Sequence, residues 1–151
     1  IHQEAIVGFL NWFKLTYPDS NLYSEIETNG TFYINDELFN HLNQINCSAK
    51  LDNSGMAESK RIKPDALRRI VEHKNYWFKF VISNESDLEE IITQYRLPFH
   101  IDQQRLIIMP GLDAQENFHE RTKFILETAK TYGFIGLTRL HISAWDKTCG
   151  V

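Results

Sequence analysis

Apolar and polar positions run along this chain in two rhythms. Ile6, Phe9, Leu10, Phe13 and Tyr17 recur at three- and four-residue spacing, which predicts an amphipathic helix over about 2–17 with these five on its core stripe. Pro18-Asp19-Ser20 stops it. Positions 22–27 alternate and predict a strand closed by Asn29-Gly30. Asp36 caps a short helix to about Gln44, and 45–51 reads as a second strand. The polar stretch 52–63 reads as a loop. Pro64 then opens a helix with Leu67, Ile70 and Val71 inward. The aromatic and β-branched run YWFKFVI at 76–82 predicts a buried strand. A helix capped by Ser86 or Asn84 carries Leu88, Ile91, Ile92 and Tyr95 and ends at Pro98. A strand over 105–109, a helix over 117–132 stopped by Gly133, and a last strand over 138–143 complete the series.

Strands alternating with helices predict an α/β fold with a mostly parallel sheet in one domain over 1–151. The composition, 42% apolar and 24% charged, is that of a folded domain. The net charge of −4 lacks the basic footprint of a nucleic-acid binder, so no nucleic-acid partner is expected. No run is apolar enough to cross a membrane, and the first residues are not a basic stretch followed by an apolar one. Two cysteines cannot build a disulfide framework, and the expected compartment is the cytoplasm. The opening Ile1-His2-Gln3-Glu4 runs straight into a helical pattern, which suggests a start inside a larger fold.

Parallel sheets gather their chemistry at the carboxyl ends of strands. That rule selects Glu27-Thr28-Asn29-Gly30-Thr31, Ser48-Ala49-Lys50, Met109-Pro110-Gly111-Leu112 and the tail after Ser143. Glu27, Thr28 and Asn29 supply a carboxylate, a hydroxyl and an amide suited to a ribose or an amino-acid group. The competing account is a plain turn, since Asn-Gly is a standard turn dipeptide. Ser48 and Lys50 fall on one side of a strand and suit a carboxylate or phosphate; the alternative is an edge strand with a solvated lysine. Gly111 would let backbone lie against a planar ligand, although an ordinary strand-to-loop transition needs no ligand.

The six histidines are scattered, with no H-E-x-x-H and no C-x-x-C, so a self-contained metal site is not expected. A G-x-S-x-G elbow and a Gly-rich phosphate loop are also missing. No catalytic residue is assigned.

In order, EIETNGT at 25–31, CSAKL at 47–51 with Asn53-Ser54-Gly55 behind it, FKFVI at 78–82, Ile108-Met109-Pro110, and TRLHI at 138–142 with Trp145 and the closing Gly150-Val151 resemble 7-carboxy-7-deazaguanine synthase. The resemblance spans nearly the whole chain. It implies the C-terminal part of an incomplete (β/α) barrel in a radical S-adenosylmethionine enzyme, a carbon–nitrogen lyase. Such an enzyme uses S-adenosylmethionine, a [4Fe-4S] cluster and Mg²⁺ to convert 6-carboxy-5,6,7,8-tetrahydropterin into 7-carboxy-7-deazaguanine, a queuosine precursor, usually as a homodimer. By resemblance Glu27 contacts the methionine or ribose part of S-adenosylmethionine, and Thr28, Asn29 and Gly30 shape that end of the pocket. Ser48, Ala49 and Lys50 match the family's Ser-Pro-Lys contact, with Ala49 in place of proline. Met109, Pro110, Gly111 and Leu112 lie along the adenosine, and the terminal carboxylate of Val151 reaches the small-molecule substrate.

The family's three-cysteine cluster motif and its Gly-Gly-Glu-Pro segment are absent here, and Cys47 and Cys149 match no cluster ligand. The expectation is a truncated partial barrel, inactive and marginally stable alone, with an unpaired sheet edge. The alternative is a non-catalytic nucleoside- or pterin-binding module derived from the same fold.

Overall fold

A computed structural model describes residues 2–111, 116–146 and 148. Five strands form one sheet in the order β1-β2-β3-β4-β5, all parallel: β1 (Glu25–Thr28), β2 (Gln44–Cys47), β3 (Tyr76–Ile82), β4 (Leu106–Pro110) and β5 (Ile135–Gly136). This is the expected α/β architecture, and the sheet is open rather than closed into a barrel. Sequential order with right-handed crossovers puts the linking helices on one face. These are α2 (Asp36–His41), α3 (Glu58–Arg61) with α4 (Pro64–Val71), α5 (Glu85–Glu90) with its continuation, and α7 (Phe118–Tyr132).

Burial follows this one-sided wrapping. Along β3 Tyr76, Phe78, Phe80 and Ile82 are buried, while Trp77, Lys79 and Val81 are only half-buried. The buried set joins Ile45, Leu67, Ile70, Leu106, Ile108 and Ile125 in one core. The other face stays open, and on it Glu27, Asn46 and Trp77 stand side by side across β1, β2 and β3.

Several elements depart from the sequence reading. The first helix, α1 (Gln3–Thr16), buries Val7 and Leu10, but Ile6, Phe9 and Tyr17 of the expected stripe are exposed and Phe13 is half-buried. Its packing partner α2 covers a narrower stripe than the apolar pattern spans, and Phe9, Trp12, Phe13 and Tyr17 contact one another instead. Asn35, not Asp36, caps α2, its Oδ1 accepting from the Leu38 N–H at 2.9 Å. The 52–63 stretch holds a 3₁₀ turn, Asp52–Ser54, besides the single helical turn α3.

Pro98 does not stop the helix before it. Asn84 caps α5, a π-helical turn over Ile91–Arg96 follows, and a last turn α6 (Leu97–Phe99) carries Pro98 at its start, where a missing N–H is harmless. The segment expected as a last strand over 138–143 forms instead the start of helix α8 (Leu140–Trp145). The fifth strand is the two-residue β5, paired with Ile107 and Ile108. Gly133 does end α7, at φ +68°.

Candidate functional site

The carboxyl ends of β1 and β2 lie side by side, since Thr28 is registered with Cys47 and the Ser48 N–H donates to the Thr28 carbonyl at 2.7 Å. Two of the sequence-selected segments therefore form one surface. Within the first, the turn and site readings divide between residues. Thr28 Oγ1 accepts from the Gly30 N–H at 3.1 Å, and Asn29 Oδ1 accepts from the Thr31 N–H at 3.1 Å and hydroxyl at 2.7 Å. These side chains build the turn. Gly30 sits at φ +76°, buried, and a Cβ there would lie 2.8 Å from Leu67 Cδ2 and 2.9 Å from Cys47 Sγ. Glu27 remains on the open face, its side chain 61% exposed.

The second segment is not strand. β2 ends at Cys47, so Ser48, Ala49 and Lys50 leave the sheet as a loop. Alternation survives in its burial: Ala49 packs into the core, Ser48 is half-buried and Lys50 is exposed. Three contacts pin this loop. The Tyr95 hydroxyl, projected from the π-helical turn, donates to the Lys50 carbonyl at 2.6 Å. Glu90 Oε2 accepts from the Asp52 N–H at 2.9 Å, and Asn53 Nδ2 donates to the Val81 carbonyl at 3.0 Å. Beneath it Arg61, 2% exposed, pairs with Glu90 and lies 3.6 Å from Asp52. Burial pushes the Tyr95 phenol up to about 12, so it is a neutral donor across the ordinary pH range.

Met109 stands farther along the sheet. It is registered with Val81, whereas Glu27 lies level with Trp77, four residues earlier on the same strand. The offset is about 13 Å along the strand direction. Met109 is half-buried on the open face and Pro110 faces the core. Gly111 is needed by its neighbours: its N–H donates to the Ile82 carbonyl at 2.9 Å, and a Cβ would lie 2.4 Å from Ser83 Oγ. Leu112 and Val151 lie outside the described residues. Ser143 lies inside α8, so the position after it is not a strand end.

Sequence reasoning missed Lys79, whose Nζ reaches Glu27 Oε1 at 2.6 Å. The signal was present: it is the lone charge in YWFKFVI. Tyr95 and Arg61 carried no comparable signal: Tyr95 falls on the apolar stripe of its helix and Arg61 in a polar stretch, and neither position points to the partner it meets.

Cys47 is fully buried, and burial pushes its thiol well above the usual range. A thiol whose folded pKa is raised contributes stability that is complete below its unfolded pKa and is lost as pH rises toward the folded value. The unfolding free energy from urea titration is expected to hold to about pH 8.5 and then fall, by about 1.4 kcal/mol per pH unit, up to pH ~10. Cys47→Ala should flatten that decline; a variant with an unchanged pH slope would assign the loss to other groups.

Among the described residues no three histidine, cysteine, aspartate or glutamate side chains gather to hold a metal ion, and no helix is long and apolar enough to cross a membrane. No family model matches the chain, and no solved structure matches it. A curated protein does: the 7-carboxy-7-deazaguanine synthase of Pyrobaculum aerophilum is 31% identical over 126 residues, 83% of this chain and 54% of the relative. The chain thus spans about half the length of the curated relative it matches, and over that span it is a homologue of 7-carboxy-7-deazaguanine synthase.

Proposed function

We propose that the open sheet face forms the S-adenosylmethionine-binding wall of a 7-carboxy-7-deazaguanine synthase, a carbon–nitrogen lyase acting on 6-carboxy-5,6,7,8-tetrahydropterin. The observation that carries this reading is the joining of Glu27, Ser48 and Lys50 at the adjacent ends of β1 and β2, in a chain homologous to a protein of that name. The donor set suits the ligand. A carboxylate accepts from ribose hydroxyls or an ammonium, while a hydroxyl and an exposed lysine suit a carboxylate. Met109 offers a soft apolar surface farther along, where an extended nucleoside would lie.

The residues fit S-adenosylmethionine but not the rest of the family's equipment. A [4Fe-4S] cluster is held by deprotonated cysteines. Among the described residues the one cysteine is Cys47, buried against the Gly30 turn with its thiol held protonated by burial. No Mg²⁺ ligand set gathers among them either. This chain's part is therefore to bind and orient S-adenosylmethionine, which supplies the reactive adenosyl group when bound. The β1 edge, which no other strand among the described residues pairs with, and the exposed aromatic side of α1 support a reading in which further structure packs there in a working enzyme.

Two measurements test the proposal. The 151-residue chain alone should turn over no carboxypterin, and measurable turnover would overturn its inactivity. It should bind S-adenosylmethionine in equilibrium titration, and Glu27→Gln should weaken binding roughly tenfold through loss of a charge-assisted hydrogen bond. Undetectable binding, or an unchanged Kd in Glu27→Gln, would remove the site.

A further inference from the structure

The Lys79 side chain is 25% exposed and ends on an anion. It is the one charged residue of β3, on the half-buried side of a strand whose other face is the core. Glu27 is registered with Asn46, and Asn46 with Trp77. Lys79 lies two residues beyond Trp77 on the same side, so its side chain crosses β2 diagonally to meet Glu27 Oε1 at 2.6 Å. Extending a lysine across a strand costs side-chain entropy. A carboxylate as exposed as Glu27 gives little stability in return. The pair gains a purpose if the carboxylate must be held in one orientation.

We propose that Lys79 is a positioning residue for Glu27: by occupying Oε1 it fixes the carboxylate on the open face and leaves Oε2 to accept from the ligand. Oε2 has no protein donor among the described residues. This rests on the S-adenosylmethionine reading above and sharpens it. A ligand ammonium at Oε2 would sit beside the Lys79 ammonium, two like charges on one carboxylate. A neutral ribose hydroxyl carries no such penalty. Glu27 therefore takes the ribose, and the methionine ammonium lies elsewhere.

The test is equilibrium binding of S-adenosylmethionine and of 5′-methylthioadenosine, which keeps the ribose and lacks the amino acid, to the purified chain. Lys79→Met should raise both Kd values by the same factor, roughly fivefold to tenfold, and Lys79→Arg should recover most of the loss. In a Glu27→Gln background Lys79→Met should add nothing, because there is no carboxylate left to position. Circular dichroism should match the parent for each variant.

Additive losses in the double variant overturn the proposal. So does a Lys79→Met penalty confined to S-adenosylmethionine, which would make Lys79 a direct contact of the methionine carboxylate. Failure of Glu27→Gln to affect binding is a different result: it removes the site reading itself.

Discussion

Glu90→Ala is expected to destabilise the fold by about 3–5 kcal/mol, since it strips the counter-charge from a buried guanidinium. The Arg61 side chain is 3% exposed and that of Glu90 is 10% exposed. Arg61 Nη1 pairs with Glu90 Oε1, Nε donates to the Met56 carbonyl at 3.2 Å, and Nη1 also reaches Gln94 at 3.3 Å. The remaining anion, Asp52, has an 86% exposed side chain 3.6 Å away and replaces little of the lost pairing. The same change deletes the acceptor for the Asp52 N–H, freeing the loop that follows Lys50. Glu90→Gln keeps acceptors without the charge and should cost less.

Arg61→Met with Glu90→Leu should recover most of the loss, because two apolar side chains leave no charge in the interior. Urea unfolding reports all three variants, as a shifted midpoint at constant slope. If the double variant were as unstable as Glu90→Ala, the loss would belong to packing rather than to the orphaned charge.

Gly30→Ala is expected to cost about 2–5 kcal/mol, the second large effect, because two penalties add. Backbone held at φ +76° costs an L-residue about 1–2 kcal/mol, and forcing a methyl into a filled core costs about 1–3 kcal/mol. The methyl would meet Leu67 and Cys47, both 0% exposed and unable to retreat. Gly55 supplies the control. It stands at φ +72°, but a methyl added there would meet nothing within 4 Å, so Gly55→Ala should show the backbone penalty alone. Equal losses at the two sites would mean that the Gly30 turn tolerates a side chain. Because that turn follows Glu27 directly, Gly30→Ala should also weaken S-adenosylmethionine binding, whereas Gly55→Ala should spare it.

Where local pattern and packing agreed, the sequence was legible. YWFKFVI alternates without interruption, and β3 begins and ends where the pattern does. Pro64 and Gly133 act through their own backbones, and both mark helix ends as expected. Patterns failed where the deciding contact was remote. At 138–143 the side chains suit a strand, yet the sheet position beside β4 is taken by Ile135–Gly136, a pair too short to announce itself. Gly136 fits there because a Cβ would lie only 3.0 Å from Ala129 on α7. Pro98 misled for a related reason: the π-helical turn before it shifts the register of the helix, so proline enters at the start of a new turn.

The candidate site was half legible. Its backbone segments follow from the rule that parallel sheets place ligands at strand ends, and Glu27, Ser48 and Lys50 were named from that rule and from resemblance. Their division of labour was not. Whether Thr28 and Asn29 face a ligand or build a turn depends on hydrogen bonds that spacing alone does not specify.

By itself the sequence determined the alternation of strands and helices, the parallel sheet this implies, and the kinship carried by the ordered strand ends. These rest on periodicity and on local backbone chemistry, which act over a few residues. Only the tertiary structure decided which side of α1 is covered, that Tyr95 holds the Lys50 carbonyl and Glu90 the Asp52 N–H, and that Lys79 crosses β2 to Glu27. Those depend on which elements become neighbours, and side chains distant along the chain meet only once the sheet has set its register.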